Sequence, residues 1–222
     1  MRKLIAAMIA LGTAASAQAQ SAEAVMNSAA KAYSDMRSLR AEFNQTITNP
    51  LTGTSASSKG VLLRKDPNML SINFVDPKGD RVVSDGSTLW VYLPSSAPNQ
   101  VIKASAKAGG PMELIDPASV FLTSPSARFT ITSGGTGSVA GRKMNIVNLV
   151  PRSKNGMFTR AKVWIDAAND MARQFEVVDV NGLTRLVTIT SIAPNANISS
   201  AAFKFTPPKN ARIVDSSAMS GN

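Results

Sequence analysis

The hydrophobic positions along this chain first change period near residue 40, and that change divides a helix from a long run of mostly strands. From Ser21 to Leu39, the residues Val25, Met26, Ala29, Ala30, Tyr33, Met36 and Leu39 recur at steps of mostly three and four, which predicts an amphipathic helix. From Arg40 the period is two. Ala41, Phe43 and Ile47 share one side, with Gln45 as its polar exception, and Arg40, Glu42, Asn44 and Thr46 share the other. Asn49 to Ser58 reads as a polar loop returning onto a strand at Lys59–Arg64. Leu70, Ile72 and Phe74 then alternate with Ser71 and Asn73. Asp76-Pro77-Lys78-Gly79 breaks the chain, and Asp85-Gly86, a dipeptide favoured in tight hairpins, joins Arg81–Ser84 to Thr88–Tyr92.

Further on, Gln100 to Lys103 continues as strand and Lys103 to Gly110 reads as a loop. Pro111 starts a helical pattern with Met112, Leu114, Ile115, Val120, Phe121 and Leu122. Asp116-Pro117 splits it into two short helices, because the residue before proline avoids the α region. The rest is almost continuous strand: Arg128–Thr132 before a Gly-rich turn at Ser133–Gly137, then Lys143–Val150, Met157–Asp166, Met171–Val180 and Leu183–Ile192. Asn155-Gly156 and Asn181-Gly182 mark two of the hairpins. Phe203-Lys204-Phe205 precedes Pro207-Pro208, and the tail from Ser216 is expected to fray. Many consecutive strands, little helix and no βαβ alternation predict a mainly β fold: one large curved antiparallel sheet or open barrel. No internal repeat or linker divides it.

The N-terminus changes the picture of where the chain works. Met1-Arg2-Lys3, an apolar run from Leu4 to Ala15 and Ala17-Gln18-Ala19 form a secretory signal peptide, with cleavage expected after Ala19. The run is far short of the roughly 20 residues of a membrane span. Residues 20–222 then form a single domain. The whole chain carries +10, and loss of Arg2 and Lys3 leaves +8. On an exported chain with few aromatics and no recognition motif, that charge points to acidic partner surfaces, to anionic lipid or simply to a solvated basic surface, and not to nucleic acid.

Cysteine and histidine are both absent. No disulfide framework is available, so burial alone must hold the fold. The missing cysteine also excludes a lipid-anchored mature form. Without either residue the usual general base, thiolate nucleophile and zinc ligands are missing, which argues against an enzyme and against a metal or other cofactor. The carboxylates Asp66, Asp76, Asp80, Asp85 and Asp116 mostly sit beside Pro or Gly, where Asp forms turns. Arg152-Ser153-Lys154 lies in a polar turn and reads as solvated surface.

Four phrases carry a resemblance when taken in order. They are Ala41-Glu42-Phe43-Asn44-Gln45, then Gly60 to Pro67, then Val83-Ser84-Asp85-Gly86-Ser87-Thr88-Leu89-Trp90-Val91-Tyr92, and finally Phe203 to Pro208. In this order and spacing they resemble the periplasmic outer-membrane lipoprotein carrier family, LolA, over about Ala24 to Asp215. The resemblance implies an open antiparallel β-barrel lidded by an N-terminal helix and short central helices. It implies an apolar cavity for lipoprotein acyl chains and no catalysis. It also implies delivery of acylated lipoprotein cargo from an inner-membrane ABC transporter to an outer-membrane acceptor lipoprotein, by a periplasmic, monomeric chaperone.

Carried over by position, the acyl-binding residues are Phe43, Leu70, Ile72, Phe74 and Trp90, with Met112, Leu114, Ile115 and Phe121 from the lid segment. The family's Lys-Arg-Pro entering the meander is here Lys65-Asp66-Pro67, and an ionised Asp66 cannot donate the hydrogen bonds by which that arginine holds the lid. Arg64 or Lys65 substitutes, or apolar contact alone holds the lid, so Arg64, Lys65 and Asp66 are the latch candidates. A regulator of the same fold that senses envelope lipoprotein is the alternative; such regulators carry a further C-terminal domain, for which this chain has no room.

Overall fold

The computed structural model describes residues 21–106, 115–153 and 156–216. The expected signal peptide, and Met112 and Leu114 of the expected site, lie outside these. Helix α1 (Ala22–Ser34) forms within the expected Ser21–Leu39 but ends five residues earlier, and Leu39 falls in the first strand. Ser21 caps it, its Oγ accepting from Ala24 N at 3.1 Å, and Val25, Met26, Ala29 and Tyr33 are the buried face. Twelve strands follow: β1 (Ser38–Asn49), β2 (Thr54–Lys65), β3 (Met69–Asp76), β4 (Arg81–Asp85), β5 (Thr88–Tyr92), β6 (Gln100–Ser105), β7 (Phe129–Val139), β8 (Arg142–Pro151), β9 (Phe158–Asp166), β10 (Ala172–Asp179), β11 (Thr184–Pro194) and β12 (Arg212–Asp215). Between β6 and β7 lie the short helices α2 (Pro117–Leu122) and α3 (Pro125–Arg128).

The strands form one sheet in the order β12-β6-β5-β4-β3-β2-β1-β11-β10-β9-β8-β7, and its two edges do not pair, so the barrel is open. The chain therefore has to pass from one end of the sheet at β6 to the other at β7. That crossing carries α2 and α3 over the inner face, where α1 packs on both. Every described pairing is antiparallel except β12 with β6, which is parallel. An edge strand of four residues near the C-terminus was not expected from the sequence.

Two other elements differ from expectation. The polar loop expected over Asn49–Ser58 is mostly strand: β2 starts at Thr54, and only residues 50–53 turn. Cross-strand side-chain hydrogen bonds hold this polar ribbon, Gln45 to Ser58 at 3.1 Å and Thr48 with Ser55 at 2.9 Å. The Gly-rich segment Ser133–Gly137 likewise continues β7 across a register shift, and the turn falls later, at Ala140-Gly141. Gly134 and Gly137 are there for space, and Gly135 for its φ of +84°. A Cβ on Gly134 would stand 2.7 Å from the Ile146 side chain, and one on Gly137 would stand 2.9 Å from it.

Two cores lie inside. Under α1, α2 and α3, the residues Met26, Phe121, Phe129, Phe158 and Phe175 pack with the inner faces of β8 to β10. Phe121 centres this group, with rings of Phe158 at 5.2 Å and Phe129 at 5.8 Å. The second core, Leu70, Ile72, Val82, Leu89 and Ala104, lines the inner side of β3 to β6. The helices fill one half of the barrel and leave the other half partly empty.

Candidate binding cavity and its helical cover

Each strand of the second half presents alternate residues inward, and cross-strand register puts them side by side. Ile72 stands opposite Val82, and Val82 opposite Val91. On the far side Phe43 of β1 stands opposite Ile189 of β11. These residues, with Phe74, Leu62, Val187 and Phe175, line one cavity of ≈ 360 Å³. Laid flat, the seven strands from β5 to β10 would span roughly 29 Å at ~4.8 Å per strand. Their residues meet around one cavity only because the sheet curls. The cavity is within the size range of small-molecule sites, near its lower end.

A second, smaller space of ≈ 50 Å³ lies beneath α1, between Ala29, Tyr33 and Met36 of the helical cover and Leu39 and Ala41 of β1. Leu62, Asp116, Ala118, Phe175 and Ile189 line both spaces, so a wall of single side chains separates them.

The expected site residues divide. Phe43, Ile72, Phe74 and Ile115 line the larger cavity, and the Phe43 and Phe74 rings meet edge-on at 5.8 Å. Leu70 is 2% exposed and lies in the core with Leu89 and Ala104, deeper than the cavity lining. Phe121 stands behind the wall, its ring stacked on Phe175 at 6.3 Å. Trp90 is on the outer face. Leu89 and Val91 take the inward positions of β5, so the pleat turns Trp90 out, between Phe205 at 5.9 Å and Lys103 Nζ at 5.9 Å.

The latch candidates also divide. Arg64 faces inward at the end of α1 and donates from its guanidinium to Met36 O at 2.6 Å and Tyr33 O at 3.3 Å. Its plane lies over the Tyr33 ring at 4.1 Å. The last carbonyls of a helix lack partners within it and attract cations, so this is where a guanidinium fits best. Lys65, on the other face of β2, donates to Ile198 O at 3.1 Å and so ties down the segment before β12. Asp66 is half-exposed, with an oxygen 3.7 Å from Arg64 Nη1, and its backbone N–H donates to Arg37 O.

Sequence reasoning gave no site role to two polar residues beside this junction. Asp116 is 3% exposed and caps α2, its Oδ1 accepting from Ser119 N at 3.3 Å. Burial pushes its carboxyl above the usual carboxylate range, against the pull of that hydrogen bond and of the Arg64 charge. Tyr33 is held above the usual phenol range by burial and then by the nearby Asp116, and its hydroxyl has no hydrogen-bond partner among the described residues. The Asp116-Pro117 break was legible, but what it faces depends on the fold.

Polar side chains also line the cavity itself, among them Gln45, Ser58, Asp80, Asp116 and Arg185. Gln45 was visible as the exception in its stripe. Arg185 had the same signal, a charge in file with Val187 and Ile189. Among the described residues no group of three His, Cys, Asp or Glu comes together as a metal site. The chemistry on offer is apolar contact with a polar end.

A family model described as "Outer membrane lipoprotein carrier protein LolA" matches residues 34–206. Proteins named outer-membrane lipoprotein carrier protein are similar along most of the chain. That of Dechloromonas aromatica is 26% identical over 178 residues, covering 80% of this chain and 81% of the relative. That of Chromobacterium violaceum is 27% identical over 212 residues, covering 95% of each. Among solved structures, an uncharacterized conserved protein from Thermus thermophilus superposes with a TM-score of 0.56 at 14% identity, covering 87% of this chain and 98% of that one. At that identity the likeness speaks for the fold alone.

Proposed function

Because the chain belongs to the outer-membrane lipoprotein carrier family LolA, we propose that it binds the acyl chains of lipoproteins in the cavity between β1–β5 and β10–β11 and carries them across the periplasm. The observation that supports this most is the lining: Phe43, Leu62, Ile72, Phe74, Val82 and Val91 on one space in a chain otherwise short of aromatic residues. Each acyl methylene withdrawn from water is worth ~0.8 kcal/mol, so a carrier has to offer a comparable apolar surface.

The cavity of ≈ 360 Å³ is small for several acyl chains at once. Cargo entry therefore displaces α1 and α2, which joins the two spaces now separated by Leu62, Phe175 and Ile189. Arg64 is the latch on this movement, since it alone of the three candidates grips the end of α1. The chain acts as a soluble, non-enzymatic periplasmic chaperone after cleavage following Ala19, receiving cargo at an inner-membrane ABC transporter and passing it to an outer-membrane acceptor lipoprotein.

The test is native mass spectrometry of protein freshly isolated from the periplasm. Wild-type chain is expected to carry co-purified acylated lipoprotein, and Phe74→Glu, which puts a charge on the cavity wall, is expected to come out empty while still folded. Full loading of that variant would remove the cavity from the proposal.

A further inference from the structure

The six large apolar side chains that stand exposed among the described residues all lie towards one end of the sheet. Leu51, in the β1–β2 turn, is 87% exposed, and Val180, in the β10–β11 turn, is 60% exposed. Met157 immediately precedes β9, and Val75, Val150 and Ile213 each lie one residue inside a terminus of β3, β8 and β12. Register sets three of them level. Thr48 stands opposite both Ser55 and Thr184, and Asp179 stands opposite Phe158. Val180 N donates to Met157 O at 3.4 Å, and a Cβ on Gly182 would stand 4.0 Å from Pro50 Cγ. Leu51, Met157 and Val180 therefore project side by side from adjacent turns.

The turns at the other end are polar or small: Asp66-Pro67-Asn68, Asp85-Gly86-Ser87, Ala140-Gly141 and Ala167-Ala168-Asn169. One exposed aliphatic side chain is ordinary on any protein, but this one-sided gathering is not. Charge follows the same direction. Lys78, Arg152, Arg160 and Arg212 are exposed on turns and strand ends beside the apolar tips. Of the described carboxylates there, Asp76 is exposed, whereas the other two are occupied. Asp80 accepts from Ser95 N and Ser95 Oγ, and Asp179 shapes its turn by accepting from Asn181 N and Leu183 N. The larger cavity reaches this end too, lined there by Ile47, Ala56, Pro77 and Leu93.

A protein partner is met by a contiguous apolar centre with aromatic anchors. Here the apolar side chains are aliphatic, sit on separate projecting turns and have cations beside them. That arrangement suits a lipid surface, where each tip sinks below the headgroups while arginine stays with the phosphates.

We propose that Leu51, Met157 and Val180 dock the protein reversibly on an anionic phospholipid surface, with Arg152 and Arg160 among the headgroups. This goes beyond the carrier reading and does not depend on what the cavity holds.

Vesicles of phosphatidylcholine with and without phosphatidylglycerol test it, with residues 20–222 as the protein so that the apolar run Leu4–Ala15 contributes nothing. In flotation, the anionic vesicles are expected to bind at least about tenfold more tightly than the neutral ones, and less tightly as salt rises. Leu51→Ser with Val180→Ser changes two exposed sites that the core does not use. It is expected to weaken anionic binding about tenfold and to leave acyl loading unchanged. Because the chain has no cysteine, Leu51→Cys and Ala167→Cys each carry a single polarity-sensitive dye. With anionic vesicles the dye at position 51 is expected to shift to the blue, and the dye at position 167, at the other end, is expected to stay unchanged.

Equal binding to both kinds of vesicle, or binding to neither, overturns the inference and leaves the carrier reading standing. So does a dye at position 51 that does not shift. Anionic binding that survives Leu51→Ser with Val180→Ser overturns it as well, since charge alone would then hold the protein. A dimer that dissolves in that variant, in a protein that ignores vesicles, would make the patch a contact between copies instead.

Discussion

Arg64 Nη2 donates to the carbonyl oxygen of Met36 at 2.6 Å, so a single side chain of β2 holds the end of the helix that covers the barrel. The same nitrogen reaches Tyr33 O at 3.3 Å. Sheet and cover are thus joined at and just past a helix terminus, where Tyr33 O also accepts from Met36 N at 3.3 Å.

Arg64→Met should remove both bonds and keep most of the stem packing. A loss of about 1.5–3 kcal/mol is expected, the range for hydrogen bonds from a charged donor. Amide hydrogen exchange along α1 should speed up more than exchange in β8 or β9. Unchanged protection of α1 would show that apolar contact alone holds the cover.

Asp116→Asn should alter the pH dependence of stability. The folded-state pKa of Asp116 is raised, so its stabilising contribution is fully present below the unfolded value, near 3.8, and is lost as pH rises through the folded value. Asparagine keeps the cap and cannot ionise. The difference in unfolding free energy, variant minus wild type, should therefore grow from acid towards neutral pH. A difference that is flat across this range would place the carboxyl in water.

Gly60→Ala should be costly although Gly60 is in ordinary strand conformation. Its Cβ would stand 2.6 Å from Asn73 O and 3.0 Å from Phe43 Cζ, so either β3 or the cavity wall must move. Overpacking of this kind costs about 1–3 kcal/mol, a visible fall in melting temperature. Cargo loading should fall as well, because Phe43 is displaced.

Trp90→Ala separates the two faces of β5. The loss of contacts with Phe205 and Lys103 should loosen the C-terminal segment and cost about 1–3 kcal/mol, less than a fully buried tryptophan. Amphiphile binding in the cavity should stay within about twofold of wild type. A large loss of binding would put Trp90 back among the ligand-facing residues.

The amino-acid sequence by itself determined the periods. Steps of three and four gave helix α1 its buried face, and the period of two in Leu70, Ile72 and Phe74 set which residues share a side. The Asp116-Pro117 break and the Asp85-Gly86 turn are also local chemistry, so they were legible without partners. The polar exception Gln45 stood out for the same reason.

Which side is inside is another matter, and only the tertiary structure decided it. Trp90 is the most apolar-looking residue of its strand, yet Leu89 and Val91 hold the inward positions, because β5 takes its pleat phase from β4 and β6. The polar ribbon Thr54–Ser58 became strand because β1 supplied hydrogen-bonding partners that its own composition did not announce. Arg64 found the end of α1 only through the pairing of β2 with β1. Local pattern records the period of a segment; its phase and its partners depend on residues far away in the chain.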